Sequence, residues 1–566
     1  MKKRSKMLAA VMAAVVAAAT VVGCGAQSAA TDTADSSAAA TADEAAENAG
    51  GATTEAAEEA AEGESSSSVG EGTITISMQN NPGAQEGWEA VGAAYEKMHP
   101  GVDVVVDLKA ADGYDQWLQT LLTSENPQAD LVAINLAGAT SKGKSINYME
   151  YIDNESPYTN GPWRDQFDVS RQVINMADNS FDGLNLETVQ VVWLYNADIF
   201  KEAGVEPPTT WDELIAACEK IQAAGYQPIA IDGDYNSFYA QTMGWLAQIY
   251  YDQTSRDAVN LTRAQEGDFC YDPDIDGTWS YDPTDPFNDD PDKVSQNIVR
   301  AFAAVANGER RGDTEGMKTV WTNFAKVFPQ YAGGDAMFGT NFDGAKSLFY
   351  QGKAAMMVNI ASGIVEHMNN MKTLEAGEQV EAADGSVIEN AQKFELGTFN
   401  MPSMEGEGIQ AKARTIEVSN GCIGSISKDQ AHNDLVIDFL MYYSSPEGIS
   451  TYMDSALANG YVPNGKSLVY NVTYPEEIQS AFDSLTMIGN VQKDFAQMLA
   501  RGIGESGENY RAFYEYSYDF LTGAIDVDTW AQKHQENIES HLAAAMEEKS
   551  IGENDLKNPQ NAPAGN

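Results

Sequence analysis

The sequence predicts an α/β fold built on parallel strands, and two patterns support this. Between Val189 and Gly233, an apolar run rich in β-branched residues is followed by a short helix, a second helix and another strand. Between Thr73 and Leu136, three strand-like segments alternate with amphipathic helices. Alternation at this spacing is typical of parallel sheets. With 566 residues and 43% hydrophobic content, the chain is long enough for two domains.

The block after Val189 has clear helix boundaries. Asn196 is placed to cap a short helix, and Thr210 with Glu213, three residues later, forms the pattern of a capping box. The strand that follows this second helix ends at Asp232 and Asp234. The carboxyl ends of strands are where open α/β sheets present ligand groups. The sequence therefore predicts a ligand site near these two carboxylates.

This block resembles the extracellular solute-binding proteins of ABC importers, in the sugar-binding branch related to maltodextrin-binding protein. The family's pattern is close to YN-x-D-x-F-x-x-A-G-x-x-x-P-x-T-W-x-E. It is matched here by Tyr195, Asn196, Asp198, Phe200, Ala203, Gly204, Pro208, Thr210, Trp211 and Glu213. Lys353 to Ile360 and Ser445-Pro446-Glu447 match two further family elements, although Ile360 stands where the family usually has Gly. An ordinary βαβ unit of another enzyme is the alternative.

The resemblance implies a two-lobed, periplasmic-binding-protein-like (type II) fold with a hinge and a cleft between the lobes. The expected first lobe comprises residues 73–192 plus 403–455. The expected second lobe comprises residues 193–402 plus 456–550, and residues 551–566 are predicted to be a frayed tail.

Polar side chains at strand ends and a few aromatic residues are the candidate ligand contacts. Sugars present flat apolar C–H faces framed by hydroxyls, so a sugar site needs aromatic platforms beside amide and carboxylate partners. Tyr235 and Trp245 are the predicted platforms, and Trp193 is predicted at the hinge. The remaining candidates, besides Asp232 and Asp234, are Gln79, Asn80, Asn81, Tyr114, Asn135, Asn359, Ser362, Asn420 and Tyr461. The alternatives are turn or cap roles for the polar residues and core positions for the aromatic ones.

The N-terminal 23 residues are predicted to be a lipoprotein signal peptide, because basic residues precede an apolar run that is short for a membrane span. Val21-Val22-Gly23-Cys24 resembles a bacterial lipobox. This implies lipid on the Cys24 thiol and anchorage on the outer face of the bacterial cell membrane; a plain secretory signal is the alternative. Residues 24–72 are predicted to be a disordered acidic tether because they contain little apolar bulk.

The composition limits the partners. The formal net charge of −50 makes nucleic acid and anionic membrane surfaces poor partners, and it favours a neutral solute. Besides Cys24 there are three cysteines, Cys218, Cys270 and Cys422, and an odd number argues against a disulfide framework. No cofactor is expected.

The segment from Gly460 to Ser467 fits the P-loop expression, but Pro463 lacks a backbone donor and a helical pattern precedes the segment. A nucleotide site is therefore not predicted here.

A calcium site is considered in the acidic segment from Asp272 to Asp292. Asp272, Asp274 and Asp276 followed by Gly277 match the opening of a calcium loop. The twelfth position is Pro283 instead of a bidentate Glu, so Asp-Pro turns on a solvated loop are preferred.

We interpret the sequence as a monomeric, non-enzymatic, substrate-binding lipoprotein of an ABC importer. It would capture an extracellular carbohydrate, an oligosaccharide, by hinge closure and deliver it to the transmembrane permease subunits. The alternatives are an extracellular glycosidase and a surface adhesion lipoprotein.

Overall fold

The computed structural model describes residues 70–565 except 112, 176–179, 291–292, 383–384, 421, 486–496 and 505. The predicted signal peptide, Cys24 and nearly all of the tether lie outside the described residues. The strands are β1 (Gly72–Ile76), β2 (Val102–Val106), β3 (Leu131–Ala133), β4 (Glu187–Asn196), β5 (Gln227–Ala230), β6 (Ala354–Ile360), β7 (Leu396–Phe399), β8 (Glu417–Asn420) and β9 (Ile423–Ser425).

Helices cover both sheets. They are α1 (Ala84–Met98), α2 (Tyr114–Thr123), α3 (Ala197–Ala203), α4 (Trp211–Ala223), α5 (Tyr235–Phe238), α6 (Thr242–Thr254), α7 (Val259–Thr262), α8 (Ile298–Ala306), α9 (Glu315–Ala325), α10 (Phe342–Tyr350), α11 (Ser362–Glu375), α12 (Gln430–Tyr443), α13 (Pro446–Ala458), α14 (Glu476–Asp483), α15 (Gly507–Leu521) and α16 (Val527–Glu548).

Each lobe is built on one sheet. The first sheet has the strand order β2-β1-β3-β9, with β1 parallel to β2 and β3 and with β9 antiparallel to β3. The second sheet has the order β5-β6-β4-β7, with β5 parallel to β6 and with β4 antiparallel to β6 and β7. The predicted two-lobed α/β fold is confirmed.

Strand β4 connects the lobes. Residues Glu187–Gln190 pair with β8, and residues Val191–Asn196 pair with β6 and β7 of the second sheet. Strand β8 leads directly into β9 of the first sheet. A further crossing follows α13, where Tyr461 and Asn464 bond to Glu187 before α14 packs on α11 of the second lobe. These segments form the hinge.

The chain returns to the first lobe later than predicted. Residues 403–416 were assigned to the first lobe from the sequence, but Met404, Ala413 and Ile416 are buried in the core of the second. Thr415 Oγ1 also donates to Val191 O. The return therefore lies at β8, because apolar burial and backbone pairing keep the preceding segment on the second lobe.

The predicted caps of the central block are present. The Thr210 hydroxyl accepts from Glu213 N at 3.3 Å, and the Glu213 carboxylate accepts from Thr210 N at 3.2 Å. Asn196 accepts from two amides at the start of α3, which ends at Gly204 in the left-handed conformation with φ of 63°. This region is thus specified locally, before any tertiary contact forms.

The acidic segment 272–292 is attached to the second lobe by a buried ion cluster around Arg414. The Arg414 guanidinium makes paired hydrogen bonds to Asp252 of α6 at 2.8 and 3.0 Å, and to Asp289 of the segment at 2.6 and 2.7 Å. Arg414 also donates to Pro286 O at 2.7 Å, and its side chain is 1% exposed. The segment is therefore attached to the folded body near Pro286 and Asp289, while the predicted Asp-Pro turns at Pro273 and Pro283 are exposed.

The C-terminal residues were predicted to be frayed, and this is wrong for the described part of the tail. Ile551 is buried in the core of the second lobe, and Asp555 accepts from Gly552 N, Ala564 N and Gly565 N. Pro559 O accepts from Asn297 Nδ2 at 2.7 Å. The tail is polar in composition, so its sequence did not predict these contacts.

We predict that Arg414→Gln lowers the free energy of unfolding by about 3 to 5 kcal/mol, because it leaves Asp289 buried without its cation. Urea denaturation at neutral pH measures this loss. The control is Arg164→Gln, since Arg164 pairs with Asp153 at the surface and both side chains are well exposed. Equal small losses in the two variants would contradict the importance of the cluster.

Candidate functional site

The carboxyl ends of the parallel strands of both lobes point toward the hinge. In the second lobe, β4 continues beyond the carboxyl end of β6 at Ile360 and pairs there with β8. In the first lobe, β8 enters β9 beside Ala133, the carboxyl end of β3. The two edges that carry the predicted ligand residues therefore face each other across the hinge, as the positions of ligand groups in open α/β sheets require.

The first-lobe edge contains a cluster of polar side chains. Gln79 and Asn80 follow β1 and pair with Lys109 after β2, and Asn80 N donates to Lys109 O at 2.7 Å. Asn80 and Asn81 are exposed, and Asn135 is half-buried after β3. These amides remain available to a ligand in the cleft.

Tyr114 has a structural role that differs from the predicted ligand contact. Its ring is buried, and its hydroxyl donates to Ser77 O at 2.6 Å and accepts from Ala133 N at 2.9 Å. It therefore joins β1 to β3 at their carboxyl ends. Burial raises the pKa of this hydroxyl above its ordinary value, so it stays protonated.

The second-lobe edge carries two carboxylates. Asp232 is buried and accepts from Thr242 Oγ1, and burial raises its pKa to about 7. Asp234 accepts from Asn236 N at 3.3 Å at the start of α5. Among the described residues, neither Asp232 Oδ2 nor Asp234 Oδ1 has a hydrogen-bond partner, although both atoms are buried. Buried acceptors of this kind are normally satisfied by water or ligand.

Asn359 and Ser362 lie at the same edge. Asn359 is buried, and its amide packs against Gly363, where an added Cβ would lie 2.6 Å from Asn359 Nδ2. Ser362 is half-buried at the first turn of α11. Asn420 lies in β8 opposite Glu187, and its side chain is outside the described set.

Two predicted aromatic contacts are core residues. Trp193 is fully buried and stacks on Phe399 with 5.5 Å between ring centres. Trp245 is 2% exposed, and every residue of α6 is buried. The prediction that Trp245 is a ligand platform is therefore wrong for this arrangement of the lobes, because a helix buried all around has no face left for a ligand.

An exposed aromatic row contains the predicted platform Tyr235, but its other members were not predicted from the sequence. We define it as Tyr235, Tyr514, Tyr518 and Phe338. The ring centres are 5.2 Å apart for Tyr235 and Tyr514, 5.9 Å for Tyr514 and Tyr518, and 4.6 Å for Tyr518 and Phe338. Tyr235 is 44% and Tyr518 is 39% exposed. The row starts beside Asp234. Tyr514 and Tyr518 are four residues apart in α15, and this helical spacing is the sequence signal that places them on one face of the helix.

The loop that carries Arg501 lies next to the aromatic row. Arg501 donates to Tyr239 O at 2.6 Å, and its guanidinium lies 4.1 Å from the ring centre of Tyr239. Tyr239 in turn stacks on Tyr510, one turn before Tyr514 in α15. Since Arg501 is half-buried, it keeps part of its guanidinium at the surface.

A buried polar network supports this loop. Asn509 donates to Gly504 O at 2.8 Å and accepts from Asn537 Nδ2 at 2.6 Å. Gly502 approaches Asn509 so closely that an added Cβ would lie 2.0 Å from its Oδ1. His534 Nε2 donates to Leu499 O at 2.8 Å, so Nδ1 of the neutral ring accepts from the Tyr516 hydroxyl at 2.8 Å.

Tyr461 contacts the hinge carboxyl Glu187. Its hydroxyl donates to Glu187 Oε2 at 2.8 Å, and Asn464 Nδ2 donates to the same oxygen at 3.0 Å. Tyr474 donates to Oε1 at 3.3 Å. Burial raises the pKa of Glu187. Tyr461 is thus a hinge residue in this structure, and the segment around it, which fits the P-loop expression only in sequence, forms hinge contacts.

The acidic calcium candidates act as turn acceptors. Asp276 accepts from Asp272 N at 2.8 Å and from Ser295 N at 2.7 Å, while Asp272 accepts from Asp274 N at 2.9 Å. Within the described residues, no group of three or more acidic, His or Cys side chains is arranged to hold a metal ion.

The part of the chain that the structure covers also contains no helix with the length and hydropathy of a membrane span.

The comparisons with known sequences agree with the resemblance noted above. Residues 81–278 match the profile of the bacterial extracellular solute-binding proteins. A binding protein of Brucella abortus (strain 2308) is 30% identical over 169 residues, which are 28% of this chain and 38% of the relative. A binding protein of Brucella suis biovar 1 (strain 1330) matches with the same identity and coverage. The chain therefore matches well under half of the length of these relatives.

Solved structures share the fold. The cyclic α-maltosyl-1,6-maltose binding protein from Arthrobacter globiformis has a TM-score of 0.53 at 13% identity, covering 84% of this chain and all of its own. A family 1 extracellular solute-binding protein from Bifidobacterium longum subsp. infantis gives 0.51 at 15% identity, with 83% and 100% coverage. The apo form of RafE from Streptococcus pneumoniae gives 0.51 at 17% identity, with 83% and 98% coverage.

We predict that His534 makes the stability pH-dependent. Burial lowers its pKa from 6.5 to about 4, so the folded protein keeps the ring neutral while the unfolded chain gains a proton below pH 6.5. The contribution is fully present above pH 6.5 and falls by up to about 3 kcal/mol as the pH drops toward 4. Urea denaturation between pH 7.5 and 4.5 measures the slope. His534→Gln should flatten it, and an unchanged slope in that variant would contradict the assignment.

Proposed function

We propose that this chain, whose residues 81–278 match the profile of the bacterial extracellular solute-binding proteins, is a member of that family, serves as the substrate-binding component of an ABC importer and captures a carbohydrate between its lobes. The main support is the aromatic row, which begins beside Asp234 at the edge of the second lobe that faces the polar edge of the first. The proposed ligand is a neutral oligosaccharide.

The chemistry of the two edges suits a sugar. Tyr235 and Tyr518 offer exposed ring faces for apolar C–H surfaces, while Asn80 and Asn81 offer amides for hydroxyls. Asp234 Oδ1 is a buried acceptor without a described partner, and a ligand hydroxyl would satisfy it. A neutral ligand also avoids the repulsion that the net charge of −50 imposes on an anion.

Capture would couple to motion at the hinge. A ligand that contacts both edges at once gains its full interaction energy only when the lobes approach, so binding shifts an open–closed equilibrium toward the closed form. We propose that the transmembrane permease subunits distinguish these two forms and accept the ligand from the closed one.

We also propose a location on the outer face of the cell membrane. The lipobox-like sequence ending at Cys24 would carry the lipid, and the acidic residues after it would let the folded body stand away from the surface. In this arrangement the chain acts as a monomer with the permease as its protein partner.

The second candidate function is hydrolysis of the bound carbohydrate. A carboxyl with a pKa raised to about 7, as in Asp232, is suited to a general acid. However, Asp232 is fully buried and accepts from Thr242 Oγ1, so it is shielded from a ligand at the surface. Incubation with oligosaccharides followed by mass spectrometry separates the two functions, since a receptor returns them intact and a glycosidase shortens them.

We predict that Tyr518→Ala weakens carbohydrate binding by about tenfold, since loss of an aromatic face removes about 1 to 1.5 kcal/mol of contact. A thermal-shift screen over mono- and oligosaccharides first identifies the ligand, and isothermal titration calorimetry then measures the affinity. The control is Thr522→Ala at the C-cap of α15, one turn after Tyr518, where the Thr522 hydroxyl donates to the backbone carbonyls of Tyr518 and Asp519. If Tyr518→Ala binds as the parent does, the aromatic row is not the ligand platform.

We predict that deletion of residues 25–69 leaves ligand affinity unchanged, because these residues include no aromatic residue, no Lys or Arg and little apolar bulk. A tenfold affinity loss on deletion would show that the tether contributes to binding.

We predict that a Cys24→Ser variant of the full chain moves from the membrane fraction to the medium, because it lacks the thiol that would carry the lipid. Immunoblotting of both fractions measures this change. Retention of Cys24→Ser on the membrane would exclude the lipid anchor.

A further inference from the structure

We propose that Glu96 prevents β2 from pairing with a second copy of this chain. The contact would form on the outer side of β2, which is the side of the strand that faces away from β1. Glu96 Oε1 accepts from Val104 N at 2.7 Å, in the middle of the strand. The inference concerns association between copies and does not depend on the proposed carbohydrate function.

Strand β2 is the last strand at one side of the first sheet. In the order β2-β1-β3-β9, it pairs with β1 and, among the described residues, with no other strand. Its outer side therefore carries backbone groups that a further strand could bond. Such sides are common places for strands of separate chains to join.

The pairing with β1 fixes which residues of β2 direct their backbone groups to the outer side. Asp107 N donates to Ile76 O at 2.9 Å, so the odd-numbered residues of this stretch bond to β1. Successive residues of a strand direct their N–H and C=O groups to opposite sides. The residues that direct these groups outward are consequently Val102, Val104 and Val106.

The outer N–H groups have different partners along the strand. Val102 N donates to His99 O at 3.0 Å, in the turn that precedes the strand. Val104 N donates to Glu96. Val106 N has no hydrogen-bond partner among the residues that the structure describes. Glu96 therefore occupies the central donor of a side that still offers Val106 N and the outer carbonyl groups.

The sequence of β2 favours pairing with another strand. Four of its five residues are valine, a β-branched residue that is common in strands. Val105 is 40% exposed, and Asp103 is the only charged residue of the strand. The strand by itself is therefore prone to association, and a side chain from another element is needed to oppose it.

Helix α1 holds Glu96 beside the strand. Tyr95, the preceding residue, is buried, and its hydroxyl donates to Asp438 of α12 at 2.7 Å. Gly92 lets α1 approach β2 closely, since an added Cβ would lie 2.9 Å from Val104 Cγ1. The Glu96 carboxylate is thus presented to Val104 N by a helix that packs on both the sheet and α12.

A second copy of the chain fits the outer side because two β2 strands can pair about a twofold axis. In the antiparallel register centred on Val104, the Val104 N and O atoms of the two copies would exchange hydrogen bonds. Val106 N of each copy would donate to Val102 O of the other. Asp103 would lie opposite Val105, so no two acids of the strands face each other.

The Glu96 carboxylate opposes this pairing in two ways. It is a charged acceptor, and a hydrogen bond to a charged acceptor is stronger than one to the neutral carbonyl of an incoming strand. The twofold axis would also bring the Glu96 carboxylates of both copies to the centre of the contact, where like charges repel. Because each substitution appears twice in a symmetric pair, removal of Glu96 acts on both copies.

The test measures self-association of Glu96→Ala in the full chain by sedimentation equilibrium over a dilution series. We expect the dissociation constant of the pair to fall by about tenfold or more relative to the parent, because two central hydrogen bonds become available and two like charges are removed. Glu96→Gln keeps an acceptor for Val104 N and should associate less than Glu96→Ala. The matched control is Glu89→Ala, since Glu89 is exposed on the same helix, accepts from Gln85 Nε2 at 2.6 Å and should leave the parent's value unchanged.

A double variant shows whether the association uses the outer side of β2. Val106→Pro in the Glu96→Ala chain removes the outer N–H of Val106 without removing a hydrogen bond to β1, and Pro is accepted on such sides of a sheet. This variant should return to the dissociation constant of the parent, and urea denaturation checks that each variant is folded. A Glu96→Ala chain that associates no more than the parent, or association that persists in the double variant, would overturn this role of Glu96.

Discussion

The pairing of β4 is the constraint on which the whole architecture depends. Its first residues are held by β8 and its later residues by β6 and β7, so one continuous strand belongs to both lobes. The same pairing directs the carboxyl ends of the parallel strands in both lobes toward the hinge. The location of the cleft at the carboxyl ends of these strands, where Asn80 and Asp234 lie, follows from this strand.

Buried polar groups determine how secondary-structure elements are oriented where apolar packing alone does not. Glu187 at the start of β4 collects three donors from the crossing segment after α13. Arg414 joins two carboxylates that are 37 positions apart in the chain, Asp252 and Asp289. Groups of this kind add little net stability when complete, but they penalise every alternative arrangement in which a partner is missing. Orientation between elements is therefore set by charge and hydrogen bonding as much as by the core.

The sequence specified the α/β class and the central block because those signals are local. The Thr210–Glu213 capping box and the Asn196 cap depend only on neighbouring residues, and both are present as predicted. The site was harder to predict, because exposure is a property of the assembled fold. Trp245 and Tyr518 are both aromatic residues on helices, and only packing makes one core and the other surface. The ion cluster around Arg414 was not predictable either, since its partners come together only in the folded second lobe.

The long reach of β4 pairing has a consequence for how the exported chain acquires its structure. The partner of residues Glu187–Gln190 is β8, more than 200 positions later, and α13, which packs on α1, ends only at Ala458. If the chain emerges from the membrane N-terminus first, the first lobe cannot be completed until most of the second has appeared. Contacts this distant in sequence make folding slow and leave apolar strands exposed meanwhile. Completion of the first lobe therefore depends on segments that lie in the C-terminal half of the chain.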